Sequence, residues 1–184
     1  MFENLLERTA SALDSSAIPY MIIGGQAVLL YGEPRLTRDI DITLGIGALE
    51  AARVIDLADK LGLEPLVPDP MDFVSRTLVF PAIDKPSGIR LDFIFSYSYY
   101  ENQAISRSNK IKLGEHYVNF ASLEDVVIHK IIAARPRDIE DVKAILAKNP
   151  SYDEHYIEKW LKDFDDALDE GFSSSFMEIR RDIS

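Results

Sequence analysis

The sequence predicts an α/β (α+β) protein: a mixed β-sheet core flanked by helices, with C-terminal helices. Three observations carry that prediction. Apolar or alternating stretches of strand length recur at residues 21–23, 39–44 and 89–95. Segments with apolar residues at helical spacing lie between them. The resulting order of strand, helix, strand, helix, strand, strand requires a sheet of mixed direction. Beyond Ser122 only helical periodicity remains.

Composition bounds the rest. A chain of 184 residues, 47% hydrophobic, suffices for one domain with a real core and a helical appendage. The pattern divides it into an α/β core over 1–121 and a C-terminal helical segment over 122–184 that packs on the core. No apolar run is long enough to cross a membrane. Residues 1–10 carry Glu3 and Glu7 where a secretory signal needs bases and an apolar centre, so a cytoplasmic protein is expected. The absence of cysteine excludes disulfides and thiolate metal sites. A net charge of −11 argues against broad, sequence-independent binding of nucleic acid. That charge is uneven. Residues 151–184 hold 10 acids and 4 bases, a solvated acidic face. Basic clusters remain elsewhere: Arg35 with Arg38; Arg107, Lys110 and Lys112; Lys130, Arg135, Arg137 and Lys143.

Residues 2–15 place Phe2, Leu5, Leu6, Thr9 and Leu13 at helical spacing. A turn at 15–19 leads to the first strand. Gly24 and Gly25 break it, residues 26–31 form two helical turns, and Gly32 and Pro34 end them. Residues 39–44 alternate, so Asp39 and Asp41 share one strand face about 7 Å apart at Cα. Ile40, Ile42 and Leu44 point into a core. A helix over 48–61 stops at Gly62, and three prolines keep 63–71 out of regular helix. Residues 73–80 and 89–95 read as strands joined by a hairpin-like loop, 81–88. Asp92 sits in the second of these. A charge in such apolar company requires a neighbouring arginine or a metal.

Residues 97–108 read as a helix whose Tyr99 and Tyr100 either pack or stack on a base, and 110–120 as two strands around Gly114. Ser122 is an N-cap with Asp125 three residues on. Leu123, Val126, Val127, Ile131 and Ala134 form the apolar stripe of that helix, with His129 off it as a surface residue. Lys130 falls inside the stripe. Such a lysine either snorkels to the edge or points toward a phosphate or an acid cluster. Asp138 reads as the N-cap of the next helix, with Asp141 at its third position. Residues 151–169 form one amphipathic helix that 171–175 break.

Two carboxylates on one strand face repel each other unless a cation lies between them, and hard oxygen ligands favour Mg2+. A Gly-Gly turn between strand and helix bares backbone N–H groups suited to a phosphate. Together they suggest metal-assisted phosphoryl chemistry on a nucleotide. The alternative is a solvated edge strand with two surface aspartates.

The pattern Gly24-Gly25-(x)n-Gly32-x-x-Arg35-x-Thr37-x-Asp39-Ile40-Asp41 resembles the signature of the DNA-polymerase-β-like nucleotidyltransferase superfamily. Its Arg-x-Thr-x-Asp-Ile-Asp form resembles the minimal branch that includes AbiEii/AbiGii-type toxins. So does Lys130-(x)7-Asp138-x-x-Asp141, with Val142 where leucine is usual. The resemblance spans about residues 18–148 and makes 1–121 the nucleotidyltransferase core. It implies one or two Mg2+ ions on Asp39, Asp41 and Asp92, the catalytic acids, with Asp92 on the attacking side. It implies an NTP substrate whose phosphates meet Gly24, Gly25, Arg35, Thr37 and Lys130, with Asp138 holding the cationic groups in place. The implied reaction is transfer of NMP from the NTP to an acceptor hydroxyl, releasing pyrophosphate. The implied acceptor is RNA such as tRNA, and the implied partner a cognate antitoxin. A small-molecule or protein acceptor stays open, as does a non-catalytic NTP-binding protein.

Overall fold

The computed structural model describes residues 2–34, 37–96 and 98–183. It divides into two compact units, residues 1–26 with 36–121 and residues 27–35 with 122–184.

The first unit is the sheet and its helices. In chain order it holds α1 (Phe2–Ser15), β1 (Tyr20–Ile23), the start of α2 (Gly24–Tyr31), β2 (Asp39–Leu44), a 3-10 turn (Ala48–Glu50) and α3 (Ala51–Lys60). It continues through β3 (Glu64–Pro65), α4 (Pro70–Thr77), β4 (Val79–Asp84), β5 (Ile89–Phe95), α5 (Tyr99–Ser106), β6 (Asn109–Leu113) and β7 (His116–Phe120). The strands form one sheet in the order β3-β4-β5-β2-β1-β7-β6. β2 is parallel to β5 and β1 to β7, while β1–β2, β3–β4, β4–β5 and β6–β7 are antiparallel. The sheet is mixed, as the element order requires.

Alternation along β2 has its expected effect: Ile40, Ile42 and Leu44 are fully buried. They lie in register with Leu91, Phe93 and Phe95 of β5, which are buried too. Phe93 stacks on Phe80 of β4 with ring centroids 5.8 Å apart. Each such side chain removed from water contributes roughly 1.5–3 kcal/mol. On α1, Leu5, Leu6, Thr9, Ala10 and Leu13 are the buried stripe.

One stretch departs from the sequence expectation. Residues 70–77 are helix α4, where a strand over 73–80 was expected. Helix-start chemistry wins over β propensity here. Asp69 accepts a hydrogen bond from the Asp72 N–H at 3.0 Å, Pro70 occupies the first turn, and Arg76 pairs with Asp72 one turn on. The strand therefore starts later and runs through Pro81 to Asp84, and only 85–88 turn back.

The second unit is helical: the rest of α2, then α6 (Leu123–Ala133), α7 (Pro136–Lys148), α8 (Glu154–Leu168) and α9 (Phe172–Ile183). Residues 27–35 group with these helices because the end of α7 ties them down. Asn149 Nδ2 donates to the Tyr31 carbonyl at 2.8 Å, and Lys148 Nζ to that of Gly32 at 3.0 Å. Three expectations change in this unit. Arg135 is the N-cap of α7 with Pro136 behind it, so Asp138 lies inside the first turn and its carboxylate serves elsewhere. His129 is half-buried rather than on the surface. The break after α8 is confined to 169–171, because Asp165 accepts from the N–H groups of Phe172 (2.5 Å) and Ser173 (3.1 Å) and so starts α9. No helix of the described residues is long and apolar enough to cross a membrane.

Candidate active site

Strand register assembles the acidic face. In the parallel β2–β5 pair, Asp39 stands beside Arg90 and Asp41 beside Asp92. Neighbouring strands are about 4.8 Å apart and register partners share a face. Asp39, Asp41 and Asp92 therefore project from one face of the first unit. Asp39 is exposed, and Asp41 and Asp92 are half-buried.

Gly24 receives the middle carboxylate. It has φ +63°, and a Cβ built on it would lie 2.0 Å from Asp41 Oδ2 and 2.9 Å from its Cγ. Both the left-handed backbone and the lodged carboxylate demand glycine. The cause is again register, since β1 pairs Ile23 with Asp41. The carboxylate is thereby delivered to the first residue of α2, where a helix start favours negative charge.

Asp92 has a resident cation. Arg90 Nε and Nη2 each lie 2.9 Å from Asp92 Oδ1. The neighbouring arginine that the sequence asks for is thus Arg90. No three carboxylate or imidazole side chains of the described residues are gathered to hold one metal ion. The donor set itself is all carboxylate oxygen. With Asp41 and Asp92 side by side, it fits a hard divalent cation such as Mg2+. Nearby, the buried Gln26 donates its side-chain amide to Thr37 Oγ1. That leaves the Thr37 hydroxyl its own proton to donate.

The second unit carries a different cluster. Lys130 is buried, with Nζ 2.6 Å from Asp138 Oδ1 and 2.9 Å from Asp141 Oδ2. It does not snorkel. Arg135 Nε lies 2.7 Å from Asp138 Oδ2. Burial alone would push the Asp138 carboxyl up, but hydrogen bonds and charge from Lys130 and Arg135 outweigh it and hold the group below its ordinary range.

These elements have a counterpart among known proteins. A family model described as "Nucleotidyltransferase of unknown function (DUF6036)" matches residues 2–170. The chain belongs to this nucleotidyltransferase family. No curated protein matches it by sequence. Solved structures show the same fold. The solution structure of the antibiotic-resistance factor ANT(2'')-Ia is 15% identical, covers 98% of this chain and 94% of its own, and has a TM-score of 0.58. An antigenic nucleotidyltransferase-like protein from Paracoccidioides brasiliensis is 17% identical, covering 94% and 90%, with a TM-score of 0.57. ANT(2'')-Ia in complex with adenylyl-2''-tobramycin is 18% identical, covering 85% and 92%, with a TM-score of 0.58.

In this nucleotidyltransferase, Asp41, Asp92 and Gly24 come together on the first unit and Asp39 shares their sheet face, with Gly25 next in the helix start and Thr37 held by Gln26. Lys130 and Asp138 meet each other in the second. Arg35 lies outside the described residues. Two residues outside the sequence motif, Arg90 and Gln26, join this neighbourhood. An arginine two residues before a strand aspartate was the available signal for the first, since alternation puts both on one face. Gln26 carried none, because only tertiary structure brings Thr37 to it.

Proposed function

We propose that this nucleotidyltransferase transfers a nucleoside monophosphate from an NTP to an acceptor hydroxyl and releases pyrophosphate. The observation that carries the reading is Asp41 set beside Asp92 in register with its carboxylate lodged on Gly24. Asp39, Asp41 and Asp92 would hold Mg2+, one or two ions, which when bound offsets charge on the entering and leaving oxygens. Gly24 and Gly25 present N–H groups to the triphosphate. Thr37 has a hydroxyl proton to donate to it. Asp92 accepts the acceptor's proton once Arg90 has moved off. The assignments of Arg35 and Lys130 to phosphate, and of Asp138 to holding Lys130, rest on the sequence motif.

The acceptor we favour is RNA such as tRNA, in the setting of a toxin with a cognate antitoxin. Its support is that Lys130, Asp138 and Asp141, the motif behind the AbiEii resemblance, form one cluster. A second reading is a small hydroxylated acceptor. Likeness of fold to ANT(2'')-Ia, over 98% of the chain for its solution structure and 85% for its complex with adenylyl-2''-tobramycin, favours it.

The test is incubation with each α-labelled NTP and Mg2+, offering total RNA, an aminoglycoside, or the protein alone. Label in RNA that is lost in Asp41→Asn supports the first reading. Label in the antibiotic supports the second. No label in any acceptor, with NTP still bound, would replace the transferase by a nucleotide-binding role.

A further inference from the structure

We infer that the open face of the β6–β7 hairpin binds single-stranded RNA. The inference rests on the reading of RNA as acceptor and names the surface that would hold it. β6 is an edge strand of the sheet. Its register with β7 sets Lys110 opposite Asn119 and Lys112 opposite Tyr117. Directly opposed residues share a face, so these four side chains form two adjacent cross-strand pairs. That face is open: both lysines are exposed, Tyr117 is 57% exposed and Asn119 is half-buried. Val118 and Phe120, on the other face, are buried. Neither lysine is ion-paired and Tyr117 makes no ring contact among the described residues.

Lysines on an edge strand protect against strand addition. That role does not account for an exposed tyrosine directly opposite one lysine and an amide opposite the other. The four groups together do match a nucleic-acid strand. Two unneutralised ammonium groups rooted about 7 Å apart suit neighbouring phosphates. The ring offers a base a stacking surface, and the amide offers a donor and an acceptor. In a chain of net charge −11, such a patch selects an anion locally rather than globally.

Register also relates the patch to the acids. Ile22 of β1 pairs with Ile42 on one side and Phe120 on the other. Alternation then puts Asn119 and Tyr117 on the face that carries Asp41. Lys110 is three strand spacings away, about 14 Å across the sheet. Met21, between them, is fully buried. The hairpin therefore grips the body of the strand rather than its reacting end, and its effect belongs in affinity and KM, not in kcat.

The experiment is fluorescence anisotropy of a short labelled single-stranded RNA on full-length protein carrying Asp41→Asn, over a salt series. Lys110→Gln with Lys112→Gln is expected to weaken binding about tenfold and to lower the salt slope by about 1.4. Tyr117→Ala is expected to weaken it about 5- to 150-fold with the slope unchanged. Failure of the parent protein to bind the RNA, or unchanged affinity and slope in the lysine pair, overturns the inference. Parallel transfer assays with Asp41 intact separate this from the reaction. Normal labelling of RNA with a higher KM in the lysine pair supports the surface. Normal labelling with unchanged KM removes the surface and leaves the reaction standing. RNA binding that both variants weaken, without transfer to RNA, keeps the surface and removes RNA as acceptor.

Discussion

On the acidic face of the first unit, Asp41 and Asp92 stand side by side on neighbouring strands, and Arg90 engages Asp92. In the helical unit, Lys130 is enclosed by Asp138 and Asp141, and Arg135 takes the second oxygen of Asp138. Both regions concentrate charge, but they balance it differently. The sheet places like charges together by register, at a face where Asp39 stays exposed. The helices surround one cation with its counter-charges in a buried place, an arrangement that is already complete. Removing a carboxylate from the first should therefore abolish chemistry and spare the fold. Removing the cation from the second should damage the fold directly.

The largest expected effect is on chemistry. Asp41→Asn should abolish nucleotidyl transfer while thermal unfolding stays close to the parent value, because the change is nearly isosteric. Labelled transfer and a melting curve on the same preparation check both halves. A melting temperature lowered by many degrees would erase the contrast between the two regions.

Next in size is Lys130→Met, which leaves Asp138 and Asp141 buried without their shared cation. It should cost about 3–5 kcal/mol in a urea titration. Adding Asp138→Asn should recover part of that loss, since the coupling is between charges. A double variant no better than the single one would assign the loss to packing.

The two units should also fail at opposite ends of the pH scale. In the sheet unit, burial pushes the Tyr20 hydroxyl up to about 12, against a hydrogen bond from the Asn119 N–H. The unfolded chain gives up that proton near pH 10, so this contribution is complete below pH 10. As pH rises to about 12, roughly 2–3 kcal/mol is lost. Tyr20→Phe should remove most of that alkaline dependence. Asp138 has the reverse sign. Its lowered value contributes stability above the ordinary carboxylate range, and that is lost as pH falls through the folded value. Asp138→Asn should flatten the acid limb of the stability curve and leave the alkaline limb alone.

A stability loss of about 1–2 kcal/mol, smaller than that of Lys130→Met, is expected for Gly24→Ala through its left-handed backbone. Its effect on transfer should be far larger, because the new methyl group displaces the Asp41 carboxylate. Gly62→Ala is the matched comparison. It has φ +73° but nothing within 4 Å of its added Cβ, so it should show a similar backbone penalty and normal activity.

Much of this was legible in the chain. Alternation at 39–44 put Asp39 and Asp41 on one face and Ile40, Ile42 and Leu44 in the core, and the strand does both. Lys130 within an apolar helical stripe signalled a buried cation that needs a partner, and Asp138 lies on it. Residues 73–80 misled because Phe73, Val74 and Val79 suit a strand. The Asp69-Pro70 helix start that overrides them works through a cap hydrogen bond and a fixed φ, which periodicity does not register. Asp138 as N-cap failed for a related reason, since the proline at 136 had already started α7.

Sequence by itself determined which residues could pair: the face each strand residue takes, the stripe of each helix, the glycine at a turn. Those follow from backbone periods of two and 3.6 residues, which are local. Only the tertiary structure decided which strand lies beside β2 and in what register. Asp92 came to Asp41, Arg90 to Asp39 and Gly24 to the Asp41 carboxylate through hydrogen-bond ladders between segments distant in the chain. A shift of one residue would have turned Asp92 to the opposite face. That register is chosen by burial of Ile40, Ile42, Leu44, Leu91, Phe93 and Phe95 on the far side, so the hydrophobic core is what aligns the charges.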